Sequence, residues 1–136
     1  MYPQELVEPM ENELVSRGFE ALRSAKEVDE VISKEGTTLM VVNSVCGCAA
    51  GSARPGVLYS LENAKKPAHL ATVFAGVDRE AVEQARNYML PYPPSSPSIA
   101  LFKDGKLMHV VERHHIEGRS YDMISNHLKM VYDEYC

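Results

Sequence analysis

Apolar positions recur along the chain in two alternating rhythms. Residues 4–17 place Leu6, Val7, Met10, Leu14 and Val15 at helical spacing, and Gly18 marks the stop. Phe19 to Leu22 predicts a short strand. Ser24 and Glu27 have the spacing of a capping box, opening a helix through Val28, Val31 and Ile32 that ends at Gly36. Thr37 to Asn43 is β-branched and apolar almost throughout, the pattern of a buried strand. From Cys46 to about Asn63 the pattern turns helical, with Val57, Leu58 and Leu61 toward the core and Pro55 expected to kink or break it. His69 to Phe74 reads as a strand. Asp78 then caps a helix carrying Ala81, Val82, Ala85 and Met89. A proline-rich loop, Pro91 to Pro97, leads to two apolar runs, Ile99–Phe102 and Leu107–Val111, joined by Lys103-Asp104-Gly105-Lys106 as a hairpin. A final helix over roughly 118–134 puts Tyr121, Ile124, Leu128 and Val131 on one face.

This order is one helix, then βαβαβα, then ββα. Strands that alternate with helices pair in parallel, and the late hairpin adds an antiparallel edge. The fold class is therefore α/β, a central mixed sheet flanked by helices. No repeat or long linker divides the chain. Residues 1–136 are expected to form a single domain, with residues 1–18 as an N-terminal helical extension.

Composition narrows the function. The chain has 136 residues and a formal net charge of −5, which argues against a nucleic-acid partner and against an anionic membrane surface. Its apolar runs are too short to span a membrane, and Met1 to Glu5 carries no signal-peptide pattern. Three cysteines, an odd number, do not make a secreted disulfide scaffold. A reducing cytoplasm is the expected location.

Two of those cysteines, Cys46 and Cys48, flank Gly47 where a strand gives way to a helix. Backbone N–H groups at a helix start favour the thiolate, the reactive form of cysteine. Cys46 is the expected nucleophile, and Cys48 the resolving or assisting thiol. A disulfide closed across one intervening residue requires a sharp backbone bend, which Gly47 permits. Ser44 is placed to bond the Cys46 sulfur or to cap the helix. Asn43 and Arg54 are further candidates, although an arginine is most often a solvated surface charge. Cys136 reads as an exposed spectator. His114 and His115 would point different ways on a strand, which argues against a shared site.

The element order, with a dithiol after the second strand and Pro97 opening the strand Ser98 to Phe102, is similar to the thioredoxin fold preceded by one extra helix. The stretch Val41-Val42-Asn43-Ser44-Val45-Cys46-Gly47-Cys48-Ala49-Ala50-Gly51-Ser52-Ala53-Arg54-Pro55-Gly56 resembles the bacilliredoxin family over nearly the whole chain. That resemblance implies a thiol–disulfide oxidoreductase that removes bacillithiol from S-bacillithiolated client proteins, with possible disulfide isomerase activity. Bacillithiol would be the co-substrate, no cofactor or metal would be bound, and a separate flavin-dependent bacillithiol disulfide reductase would recycle it. It implies a cis bond before Pro97, packed against the dithiol. Arg54 could then meet the carboxylates of bacillithiol. Two departures from thioredoxin itself are visible. Val45 replaces the tryptophan before the first thiol, and Met40 stands where a buried acid would serve the second. A metal or iron–sulfur carrier using the cysteine pair, or a non-catalytic interaction module, are the rival readings; no spaced Cys/His set supports the former.

Overall fold

The computed structural model describes residues 2–136. Helix α1 spans Gln4–Val15 and strand β1 Glu20–Ala21. Helix α2 is Ala25–Ile32, β2 Thr37–Asn43, α3 Arg54–Ser60, β3 His69–Phe74 and α4 Arg79–Tyr88. The hairpin is β4 Ser98–Lys103 and β5 Lys106–Val111. A short helix, α5, covers Arg113–Ile116, and α6 covers Tyr121–Tyr135.

The five strands form one sheet in the order β1-β3-β2-β4-β5. β3 pairs in parallel with β1 and β2, while β4 pairs antiparallel with both β2 and β5. All seven residues of β2 are buried, because helices cover both of its faces. Met40 and Val42 face a core built with Val28, Val31 and Ile32 of α2 and Ala81, Val82 and Ala85 of α4. Leu39 and Val41 face the opposite core, with Leu14 of α1, Val57 of α3 and Ile124, Leu128 and Val131 of α6. Each Val, Leu, Ile or Met among them contributes about 1.5–3 kcal/mol when withdrawn from water. The period-two alternation of one strand thus ties the two helical layers together.

Local chemistry sets several boundaries. The Ser24 hydroxyl accepts from Glu27 N at 3.2 Å, and Glu27 Oε1 accepts from Ser24 N at 3.1 Å, completing the expected capping box. Asp104 and Gly105 both have positive φ, and they turn the hairpin. Asp78 does occupy the N-cap of α4, but its carboxylate makes no cap bond. It accepts instead from Phe74 N at 3.2 Å and pairs with Arg23 at 3.1 Å.

Three sequence expectations need correction. Pro55 lies in the first turn of α3 rather than inside one helix running from Cys46. A π-helical turn at Ala49–Ala53 precedes α3, and Arg54 N–H reaches back to Ala49 O. This wider turn absorbs a residue that lacks an N–H and crowds the preceding turn. The last helix starts at Tyr121 rather than near residue 118, because Gly118 takes φ +74 and Ser120 caps α6 by accepting from Met123 N, and the short α5 before it has no counterpart in the sequence pattern. Pro91, expected as an ordinary loop residue, follows a cis peptide bond, as Pro97 does.

Candidate functional site

The chain leaves β2 at Asn43 and enters the helical turns through Ser44, Val45 and Cys46. The pairing of Val42 with Ser98 brings the start of β4, and Pro97 before it, to this end of the sheet. The Ser96–Pro97 bond is cis, as the thioredoxin resemblance implies. Cys46 O accepts from Ala49 N at 3.1 Å and from Ala50 N at 3.2 Å, so Cys46 stands at the mouth of the first turn. Both thiols are half-buried and unbonded, with their sulfurs 2.7 Å apart. A Cβ on Gly47 would meet nothing within 4 Å, so the open dithiol uses none of the freedom that glycine offers.

The two thiols differ in proton affinity. Burial pushes the Cys46 thiol up, but several opposing contacts outweigh it. These are the hydrogen bond with Cys48, the Ser44 hydroxyl, Ala49 N–H and the positive Arg113, and together they hold Cys46 below the ordinary thiol range. Cys48 moves the other way. Burial raises it first, the hydrogen bond and negative charge of Cys46 raise it further, and Arg113 offsets only part. When the pair gives up one proton, these contacts favour the negative charge on Cys46 and the remaining proton on Cys48.

Arg54 corrects a second expectation. It is not a solvated surface charge: it is 2% exposed, packed beneath the loop that carries the dithiol. Its Nη1 donates to Asn43 Oδ1 at 3.0 Å and to Ser44 O at 2.9 Å, and its Nε lies 3.1 Å from Glu13 Oε1. Asn43 Oδ1 also accepts from Ser44 N at 2.8 Å, while Asn43 Nδ2 donates to Met10 O at 3.3 Å. The Ser44 hydroxyl accepts from Cys46 N at 3.3 Å. Asn43, Ser44 and Arg54 thus form one network that fixes the backbone leading into Cys46, and Arg54 has no open face for a ligand. Met40 is fully buried among apolar neighbours, so no carboxylate occupies that position beneath the second thiol.

Sequence reasoning missed Arg113. Its backbone N donates to Ser95 Oγ at 3.3 Å, and its Nη1 donates to Ser96 O at 3.1 Å. Its Nε pairs with Glu117. These contacts join α5 to the loop before Pro97, and the guanidinium charge reaches both sulfurs. No local motif could reveal this, because the contacting residues lie far apart in sequence. The reading of His114 and His115 also changes. They lie on α5 rather than on a strand, with ring centroids 4.0 Å apart, and with Glu112 they bring three donor atoms within 4.8 Å. His115 Nδ1 accepts from Glu112 N at 3.2 Å, capping α5, while its Nε2 lies 3.2 Å from His114 Nε2. Cys136 is exposed at the far end of α6, roughly 20 Å along the helix from its start at Tyr121.

Comparison with known proteins gives this geometry a family. The Disulphide isomerase family model matches residues 2–136. A bacilliredoxin of Cytophaga hutchinsonii is 66% identical over 134 residues, covering 98% of this chain and 99% of the relative. A bacilliredoxin of Halalkalibacterium halodurans is 51% identical over 136 residues, covering 99% and 94%. Among solved structures, a point mutant of Halobacterium salinarum thioredoxin superposes with a TM-score of 0.60 at 18% identity, covering 87% of this chain and 90% of that one. Mitochondrial thioredoxin 3 of Saccharomyces cerevisiae gives 0.59 at 14% identity, covering 85% and 94%. These structural likenesses establish a thioredoxin-like fold, and the sequence relatives support a thiol–disulfide oxidoreductase role. With its Cys-Gly-Cys pair on that fold, the chain belongs to the bacilliredoxin family.

Proposed function

We propose that this protein removes bacillithiol from S-bacillithiolated client proteins, with Cys46 as the nucleophile. The observation that carries the reading is the unequal pair: two sulfurs 2.7 Å apart, one biased toward thiolate and the other toward thiol. In the first step the Cys46 thiolate attacks the bacillithiol sulfur of the mixed disulfide. A Cys46–bacillithiol bond forms, the client–bacillithiol bond breaks, and the client cysteine leaves as a thiolate that takes up a proton. The second step has two routes. Cys48, once deprotonated, attacks the Cys46 sulfur and expels bacillithiol, leaving a Cys46–Cys48 disulfide. Alternatively, a free bacillithiol attacks the bacillithiol sulfur, restores Cys46 and departs as bacillithiol disulfide. Either way two electrons must be returned, by bacillithiol or by a flavin-dependent reductase of its disulfide.

Asn43, Ser44 and Arg54 hold the loop, Gly47 allows the ring to close, and Pro97 shapes the wall opposite the dithiol. Such chemistry belongs in a reducing cytoplasm, where thiols are maintained. Disulfide isomerisation shares the first step, and the description of the matching family favours it as a second activity.

The test uses a bacillithiolated client with Cys46→Ser and Cys48→Ser variants. Cys46→Ser is expected to release no client thiol. Cys48→Ser is expected to release it and to gain the mass of bacillithiol on Cys46. A mass gain on Cys48 in the Cys46→Ser variant, with client release retained, would reverse the two roles.

A further inference from the structure

Arg113 does more in this geometry than lend its field to a sulfur. Its side chain is 44% exposed yet held at two points, by Ser96 O and by Glu117. Ser96 immediately precedes the cis proline, so the guanidinium is anchored on the rim that faces the dithiol. The remaining nitrogen, Nη2, makes no hydrogen bond among the described residues and is open to solvent. A guanidinium fixed by two neighbours, with one donor edge outward, is pre-organised to receive a carboxylate. Glu117 shows that a carboxylate fits against it, since one already lies on Nε. Arg54, by contrast, is 2% exposed, with Nη1 bonded to Asn43 and Ser44 and Nε 3.1 Å from Glu13.

We propose that Arg113 is a specificity-determining residue that binds a carboxylate on the small-thiol half of a mixed disulfide, so that the site prefers anionic low-molecular-weight thiols to neutral ones. The inference rests on the mixed-disulfide reading of the dithiol, but not on bacillithiol being the natural thiol. Nη2, with the Nε edge that Glu117 now occupies, is where the carboxylate binds. Glu117 therefore competes with the substrate and sets how strongly anions are preferred. A role confined to stabilising the Cys46 thiolate would speed attack on every disulfide alike. Recognition of a carboxylate changes only those substrates that carry one.

The experiment compares one client protein loaded with either mercaptosuccinate, which bears two carboxylates, or 2-mercaptoethanol, which is neutral, with the bacillithiolated client as a third substrate. The readout is the ratio of kcat/KM for the charged and neutral substrates. Arg113→Gln is expected to lower that ratio about tenfold, the size of one charge-assisted contact, mainly through KM for mercaptosuccinate. Arg113→Lys should restore part of it. Glu117→Gln should raise the ratio above wild type by freeing the Nε edge, and added salt should lower it in the wild type. The proposal is overturned if Arg113→Gln slows both substrates by the same factor, or if Glu117→Gln leaves the ratio unmoved. Failure of the bacillithiolated client alone, with the ratio still dependent on Arg113, would refute the bacillithiol reading and leave this one standing.

Discussion

Cys46 and Cys48 carry the same side chain and hold it at different proton affinities, because their neighbours differ. Ser44, Ala49 N–H and Arg113 favour the Cys46 thiolate, and that thiolate then opposes ionisation of Cys48. Pulsed alkylation read by mass spectrometry should therefore label Cys46 with a midpoint below the ordinary thiol value of about 8.5. Cys48 should follow only at higher pH, and equal labelling of the two across the range would sink the assignment. Arg54 works at the same scale without touching sulfur. Arg54→Ala removes the donor to Ser44 O and one of the two donors to Asn43 Oδ1 beneath the loop, and it should cost about 3 kcal/mol in denaturant unfolding. Glu13 is 44% exposed, so Glu13→Gln should cost under about 1 kcal/mol. A cost as large as that of Arg54→Ala would mean the ion pair, rather than the bonds to the loop, holds Arg54 in place.

Elements meet where side chains are absent or paired. A Cβ on Gly56 would lie 2.7 Å from both Cβ and Cγ2 of Ile124, so this glycine lets α3 approach α6 closely. Gly56→Ala must push the two helices apart and should cost about 1–3 kcal/mol. Gly47→Ala meets open space and should stay within about 0.5 kcal/mol of wild type. Unfolding curves of the two variants separate a glycine that packing requires from one that packing does not. β5 and α6 are tied by His109 and His127, whose Nε2 atoms are 2.9 Å apart. Burial lowers the proton affinity of both imidazoles, and neighbouring His115 lowers it further. The unfolded chain thus binds protons more readily than the folded one. The stability this pair supplies is present above pH about 6.5 and is lost as pH falls from there through the lower folded-state values. His127→Ala should flatten that part of the pH–stability curve, and an unchanged slope would remove the pair from the account.

At the scale of the whole molecule, the fold restrains both flanks of the dithiol. The buried network under Asn43 and Ser44 holds one side, and the first helical turn holds the other. A disulfide across a single residue must bend the backbone within that frame, which favours the open dithiol. The couple should therefore be more oxidising than the roughly −270 mV of a thioredoxin, as measured by equilibration with redox buffers. A value as low as thioredoxin's would show that the frame yields without cost. Where an element rests on local pattern, the sequence made it legible: the capping box at Ser24, the seven buried residues of β2 and the hairpin at Asp104-Gly105 lie where periodicity and turn chemistry put them. Arg54 was misread because burial of a charge depends on partners from α1 and from the end of β2, which no local window contains. The π turn before Pro55, the cis bond at Pro91 and the short helix α5 escape for a related reason, since each suits its surroundings rather than its own propensity.

The sequence by itself determined the strand and helix order, the dithiol at a helix start and the family to which both belong. These follow from period, caps and a contiguous motif, all of them short-range. Only the tertiary structure decided which charges attend the sulfurs. It drew Arg54 inward under the loop and set Arg113 on the rim beside Pro97, because burial and Coulomb fields act through space between residues distant along the chain.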